Sequence, residues 1–115
     1  MGVGIPGRER KKMTNADAIV DELLDAVVTD LPYSSGDKVA LMVNGLGGTL
    51  ISEFYILFRR AHQQLAKKGI TVMRSYVNEH CTSLDMAGAS LTLVKLDDEI
   101  DALLGASAEV AIRVF

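Results

Sequence analysis

The side chains of this 115-residue chain that could do chemistry gather in two short polar stretches. The first is Asn44-Gly45-Leu46-Gly47-Gly48-Thr49. Three glycines and a threonine ahead of a helix are the ingredients of a phosphate cradle, because backbone N–H groups come close to a ligand at a positive dipole end. The stretch is not GxGxxG, however, and it lacks the Lys-Ser/Thr pair of GxxxxGK[ST]. Its glycines serve equally well for a tight strand-to-helix connection, or for a loop that docks against a partner. The second stretch is His80-Cys81-Thr82-Ser83-Leu84-Asp85. It mixes a thiol, hydroxyls, an imidazole and a carboxylate, the types used in nucleophilic catalysis. Neighbours on an extended chain point to opposite sides, so adjacency argues against a triad and favours short polar groups that hydrogen-bond their own turn.

Elsewhere the signals are weaker. His62 has no second ligand at helical spacing and reads as a half-exposed surface residue. Asp97, Asp98 and Glu99 open a helix, where the dipole favours negative charge, and a metal role is a poor second. The run Arg8 to Lys12 reads as a solvated loop.

The elements that must hold the two stretches follow from periodicity. Ile19, Val20, Leu23, Leu24, Val27, Val28 and Leu31 lie on one helical stripe, with Thr14 expected as N-cap and Asp17 as its capping-box partner. Pro32 and Ser34-Ser-Gly-Asp37 end that helix in a turn. Lys38 to Asn44 (KVALMVN) is apolar without alternation, as in a strand covered on both faces. A second helix, with Thr49 expected as its cap, turns Ile51, Phe54, Tyr55, Phe58, Ala61 and Leu65 inward and ends at Lys67-Lys-Gly69. Strands are predicted over Ile70 to Val77 and Gly88 to Lys95, with the polar loop Asn78 to Asp85 between them. Asp97 caps a short helix that Gly105 closes, and Ala108 to Phe115 reads as a last strand. Together with two to four strand-like residues at the start, the order is β-α-β-α-β-β-α-β. This is α/β layering with at least one antiparallel neighbour.

Composition narrows the function classes. The chain is 49% apolar and 23% charged, with two prolines, which suits one compact domain over residues 1–115. Twelve Lys and Arg against fifteen Asp and Glu leave a formal charge of -3, which supplies no surface for neutralising a phosphate backbone, so nucleic acid is not expected as a partner. No apolar run approaches the ~20 residues that cross a bilayer, and the N-terminus is not a signal peptide. One cysteine, Cys81, cannot form an internal bridge, and no CxxC or HxxxH pair offers metal ligands, so no metal site is expected. These features lead to the expectation of a cytoplasmic protein.

Longer motifs then add a family. The segments LMVNGLGGTLISEFYI and CTSLDMAGASLTLVKLDDE, with GVGIPGRERKKM before them, resemble the second half of the dihydroxyacetone (glycerone) kinase K subunit. VNGLGGT followed by SEFY, and TSLDMAG followed by SLTL, carry the likeness, which covers nearly the whole chain. The resemblance implies a two-layer α/β domain with a mixed, mostly parallel β-sheet and about three helices. It would be the rear domain of a K subunit whose front domain is absent here and supplies most of the ketone pocket.

The family captures dihydroxyacetone as a hemiaminal on a histidine and then receives a phosphoryl group from a separate L domain. That histidine lies in a GIHGEPG motif. Here the matching text is Gly4-Ile5-Pro6-Gly7, so His-Gly-Glu is missing between Ile5 and Pro6, and neither His62 nor His80 stands in its place. The gap admits a genuine loss of the histidine, the omission of a mobile loop from the sequence, or an error in the sequence.

The resemblance therefore implies part of a dihydroxyacetone kinase that is inactive by itself. It would have no cofactor of its own, since a partner carries the nucleotide or phosphoprotein donor. Its partners would be a front K domain, an L-type subunit and, as a possibility, a second copy. The alternative is a non-catalytic K-like protein for ligand sensing or regulatory partner binding. In either case the expected inter-domain or partner-facing positions are Asn44, Gly45, Gly47, Gly48, Thr49, Thr82, Ser83 and Asp85.

Overall fold

In the computed structural model, residues 12–111 are described. They form three helices and three strands: α1 (Ala16–Asp30), β1 (Lys38–Gly45), α2 (Ile51–Lys67), β2 (Thr71–Asn78), β3 (Ala89–Leu96) and α3 (Asp98–Gly105). The sheet order is β2-β1-β3. β1 pairs parallel with β2 and antiparallel with β3, so the sheet is mixed, with one pairing of each kind among the described strands. The strands that flank the 79–88 connection are thus not neighbours; β1 lies between them.

The unbroken apolar run of β1 is explained by this central place. Val39, Leu41 and Val43 are fully buried, and Ala40 is nearly so. Residues opposite one another in a ladder share a face. Val39 and Leu41, with Leu93 across the antiparallel pairing, meet Val20 and Leu24 of α1 and Ala61 and Leu65 of α2 in one core. The other face carries Ala40, Met42 and Asn44 from β1, Arg74, Tyr76 and Asn78 from β2, and Ser90, Thr92 and Val94 from β3. There α3 is tied to β2 by an Arg74 Nε to Asp101 Oδ1 contact of 2.7 Å. The register slips between Val39 and Ala40, which leaves Met73 as an extra residue on β2.

Element ends differ from expectation in instructive places. The N-cap of α1 is Asn15, not Thr14: its Oδ1 accepts from the Ala18 N–H at 2.9 Å. Asp17 does not complete a box but pairs with Arg59 of α2 at 2.7 Å. The N-cap of α2 is Leu50, not Thr49; its N–H donates to Glu53 Oε2, so Glu53 does the capping from inside the first turn. Of the expected inward stripe on α2, Phe54, Ala61 and Leu65 are buried, whereas Ile51 and Tyr55 are more than half exposed. The end of α2 is as expected. Gly69 takes φ +75°, its N–H donates to the Ala66 carbonyl, and the Ile70 N–H donates to the Leu65 carbonyl, the paired bonds of a Schellman closure. Asp97 caps α3 by accepting from the Ile100 N–H at 2.7 Å.

The expected last strand is not formed over residues 108–111, which are exposed coil. The expected opening strand and the Ile5–Pro6 junction lie outside the described residues, as does the remainder of that last segment.

Candidate functional site

Both polar stretches arrive at one end of the sheet, where β1 and β2 finish and β3 begins. They are locked together by the side chain of Asn44, the penultimate residue of β1, which is only 5% exposed. Its Oδ1 accepts from the His80 N–H at 2.7 Å and from the Cys81 N–H at 2.9 Å. Its Nδ2 donates to the Cys81 carbonyl at 2.8 Å and lies 3.4 Å from Ser90 Oγ. A single primary amide thus supplies the loop with the donors and acceptor that a further strand would have provided. An amide suits the place because it offers acceptor and donor atoms side by side and carries no charge to bury.

The glycines make the second half of the clasp. Gly47 has φ +103°, a left-handed conformation that glycine adopts without a Cβ clash, and it bridges to Met86. The Gly48 N–H donates to the Met86 carbonyl at 3.0 Å, and the Met86 N–H donates to the Leu46 carbonyl at 3.1 Å. A Cβ on Gly47 would stand 2.8 Å from the Ser83 carbonyl oxygen, and one on Gly48 would stand 2.9 Å from the Ala87 nitrogen. A Cβ on Gly45 would overlap the ring of Phe54, which is 1% exposed. Thr49, displaced from the capping role, accepts from the Gly88 N–H at 2.9 Å through Oγ1. Asp85 adopts φ +52°, which lets the chain turn back toward Met86.

Close approach of two backbones explains Gly47 and Gly48, and the packed Phe54 ring explains Gly45. Of the eight singled-out positions, Asn44 and Gly45 are buried inside the clasp, Thr49 is half-buried, and Gly47, Gly48, Thr82, Ser83 and Asp85 are exposed on it. The hydroxyl of Thr82 donates to the Ser83 carbonyl at 3.3 Å, the local turn bonding expected of this loop. His80 sets its ring edge-on to Tyr76, with centroids 6.3 Å apart, while the Cys81 side of the chain faces solvent. His62 is exposed on α2 beside Phe58, with ring centroids 5.9 Å apart, far from the clasp in sequence and on another element. Among the described residues no three His, Cys, Asp or Glu side chains converge on a common point. No helix among them is long and apolar enough to cross a membrane.

Residues that the motifs did not single out complete the surface. Leu84 is 98% exposed, Leu50 73%, Ile51 51% and Met86 39%, and all four belong to the clasp or to the start of α2. A signal was present in the sequence for Leu84, an apolar residue inside a polar loop, whereas periodicity places Ile51 on the inward stripe of the second helix. Buried Leu46, with 7% exposure, takes the core-facing share of the same loop.

Comparison with known proteins agrees with this geometry. The chain is 38% identical over 105 residues to the dihydroxyacetone-binding subunit DhaK of PTS-dependent dihydroxyacetone kinase 2 of Listeria innocua, covering 90% of this chain and 32% of that protein. It is 36% identical to the DhaK subunit of the PEP-dependent dihydroxyacetone kinase of Escherichia coli, covering 89% of this chain and 36% of that one. The chain thus spans about a third of the length of these relatives. Among solved structures, the dihydroxyacetone kinase operon co-activator DhaQ superposes with a TM-score of 0.78 at 31% identity, over 87% of this chain and 32% of that one. The model of the Dak1 domain matches residues 1–112, and the chain belongs to the Dak1 domain family, as a domain of the DhaK type.

Proposed function

We propose that the chain works as the rear part of a dihydroxyacetone kinase K subunit, forming one wall of the ketone site and transferring no phosphoryl group by itself. The observation that carries this reading is the clasp. Two loops that contain the family's motifs are held rigidly together and present Leu50, Ile51, Leu84 and Met86 to the outside. Exposed apolar residues grouped around a polar rim are what an inter-domain contact uses. The front part of the subunit is the natural cover, because about two-thirds of the length of the DhaK relatives lies outside this chain.

In this reading Asn44 and the glycines set the shape of the wall, and Thr82, Ser83 and Asp85 face the front part. A histidine in the GIHGEPG position would add a ring nitrogen to the ketone carbon. The carbonyl oxygen would take up a proton as the imidazole N–H gives one up, leaving a hemiaminal with both substrate hydroxyls intact. An L-type partner would then bring the phosphoryl group, on a nucleotide or from a phosphoprotein, to one of those hydroxyls. This chain has no His-Gly-Glu between Ile5 and Pro6 and so would hold no covalent substrate.

The test is reconstitution. The chain is combined with a front K part and an L-type subunit, with and without His-Gly-Glu inserted between Ile5 and Pro6. The insertion is expected to bring both an adduct in the intact mass and turnover of dihydroxyacetone. Phosphorylation of dihydroxyacetone by the unmodified chain alone would overturn the reading. The likeness to the DhaQ co-activator, at a TM-score of 0.78, together with the missing histidine, favours a second reading as a regulatory K-like partner. Stable complexes with a transcription factor and no turnover in the reconstituted system would select it.

A further inference from the structure

Of the three asparagines in the chain, Asn15 precedes alanine, Asn78 precedes glutamate, and Asn44 alone precedes glycine. No aspartate precedes a glycine. An Asn-Gly pair is chemically labile, because the glycine nitrogen has no neighbouring Cβ to shield it and its backbone readily bends as ring closure requires. Two independent demands put the pair in the clasp. Position 44 needs an amide, which accepts from the His80 and Cys81 N–H groups and donates to the Cys81 carbonyl. Position 45 needs glycine, since a Cβ there would overlap the Phe54 ring.

The same contacts restrain the chemistry. Ring closure brings the Asn44 Cγ onto the Gly45 nitrogen, which an extended strand does not allow. Both residues lie in β1, opposite Ser90 and Ala89 of β3. The Asn44 side chain is 5% exposed, and three bonds of 2.7 to 2.9 Å hold it to the 79–88 connection. Its amide cannot swing onto the nitrogen while the clasp is shut. The rest of the clasp hangs on few bonds, those joining Gly48 and Leu46 to Met86 and Thr49 to Gly88. Loops held in this way open locally far more often than the whole domain unfolds.

We propose that Asn44 is a fold-guarded site of self-modification, protected while the clasp is shut and reactive when it opens. In the open state the Gly45 nitrogen attacks the side-chain carbonyl carbon of Asn44. The new C–N bond closes a cyclic imide, the Gly45 proton passes to the leaving amide nitrogen, and ammonia departs. Water then opens the imide at either carbonyl, which leaves an aspartate or an isoaspartate at position 44. No oxidant or reductant is consumed. The product cannot restore the clasp. A carboxylate has no N–H for the Cys81 carbonyl, so two acceptors would face each other where a 2.8 Å bond stood. Burying its charge costs more again. An isoaspartate also adds a methylene to the main chain, and the residues after it lose their match to β3. The step is one-way and turns a rigid end of the sheet into a loose one.

The experiment incubates the full chain at neutral pH, folded and in denaturing urea, and follows isoaspartate at each asparagine by peptide mapping. In urea, Asn44 is expected to convert well ahead of Asn15 and Asn78. In the folded chain it should convert roughly a hundred-fold more slowly, the counterpart of about 3 kcal/mol. Thr49→Val removes the bond to the Gly88 N–H and should speed the folded rate roughly five-fold, the counterpart of about 1 kcal/mol. Should that variant fail to fold, urea well below the unfolding midpoint is expected to raise the wild-type rate in the same way. Converted chain, separated by its added negative charge, should have lost exchange protection at the His80 and Cys81 N–H groups. Equal rates in the folded and unfolded chain would overturn the proposal. So would conversion led by Asn78, whose Oδ1 accepts from the Glu79 N–H at 2.8 Å. A folded rate unmoved by Thr49→Val and by dilute urea, or converted chain with its protection intact, would do the same. None of these readouts involves a ketone or a kinase partner, so they stand apart from the ketone-kinase reading.

Discussion

Replacing Asn44 by alanine removes three backbone partners at once. The N–H groups of His80 and Cys81 and the carbonyl of Cys81 would all lose a bond between 2.7 and 2.9 Å. A net hydrogen bond is worth about 1 kcal/mol, and a partly buried group left unsatisfied costs about 1–3 kcal/mol. Loop groups near the surface recover part of this from water, so the sum is expected near 3 kcal/mol. For a domain of this size that corresponds to a fall in Tm of roughly 10 °C. The fourth contact, to Ser90 Oγ at 3.4 Å, is long, and Ser90→Ala should cost only about 0.5 kcal/mol. The assay is thermal unfolding of both variants together with amide exchange at His80 and Cys81. Asn44→Ala should strip protection from these two amides and from Met86, while Leu41 in the strand interior keeps its own until global unfolding. A loss below about 0.5 kcal/mol, or unchanged protection at His80 and Cys81, would refute the view that one amide holds the loop.

Other substitutions test neighbouring claims. Gly45→Ala must push the buried Phe54 ring aside and is expected to cost about 1–3 kcal/mol, measured by urea unfolding. Gly47→Ala adds a left-handed alanine to a 2.8 Å overlap with the Ser83 carbonyl, so it should free the 79–88 connection to faster exchange without melting α1. In acid, Asp37 is held below the ordinary carboxylate range first by the Ser34 N–H and then by Lys95, and Asp21 is held down mainly by Arg60. Both carboxyls bind protons more weakly folded than unfolded. Their support is complete above the unfolded value of about 3.9 and is lost as pH falls through the lower folded values. Asp37→Asn should flatten that acid limb in a pH series of unfolding curves. Arg74→Met should speed amide exchange in α3, since Arg74 also donates to the Asp101 carbonyl at 3.0 Å.

How much of this was legible in the sequence depended on whether a signal was local. The continuous apolar run of β1, the Gly69 closure of α2 and the Asp97 cap of α3 are local patterns, and each stands where the residues place it. The caps at Thr14 and Thr49 were one residue off, because neighbouring polar residues compete and tertiary contacts choose. Thr49 is drawn to the Gly88 N–H of the other loop, and Asp17 to Arg59 of another helix. Tyr55 and Ile51 fit an amphipathic stripe, yet both are more than half exposed, because periodicity does not say how much of a helix face its neighbours cover. The two polar stretches were both noticed, but their union was not visible. It depends on Asn44 reaching residues 36 and 37 positions away.

The clasp also bears on how tightly the end of the sheet can be recognised. A recognition loop that wanders in solution must surrender its freedom when a partner arrives, and that loss is subtracted from the affinity. Here the loss has been absorbed during folding, by an amide, a threonine hydroxyl and three residues without side chains. A visiting surface would meet a finished template, so association should proceed as lock-and-key docking, with small entropy cost and little rearrangement of the backbone.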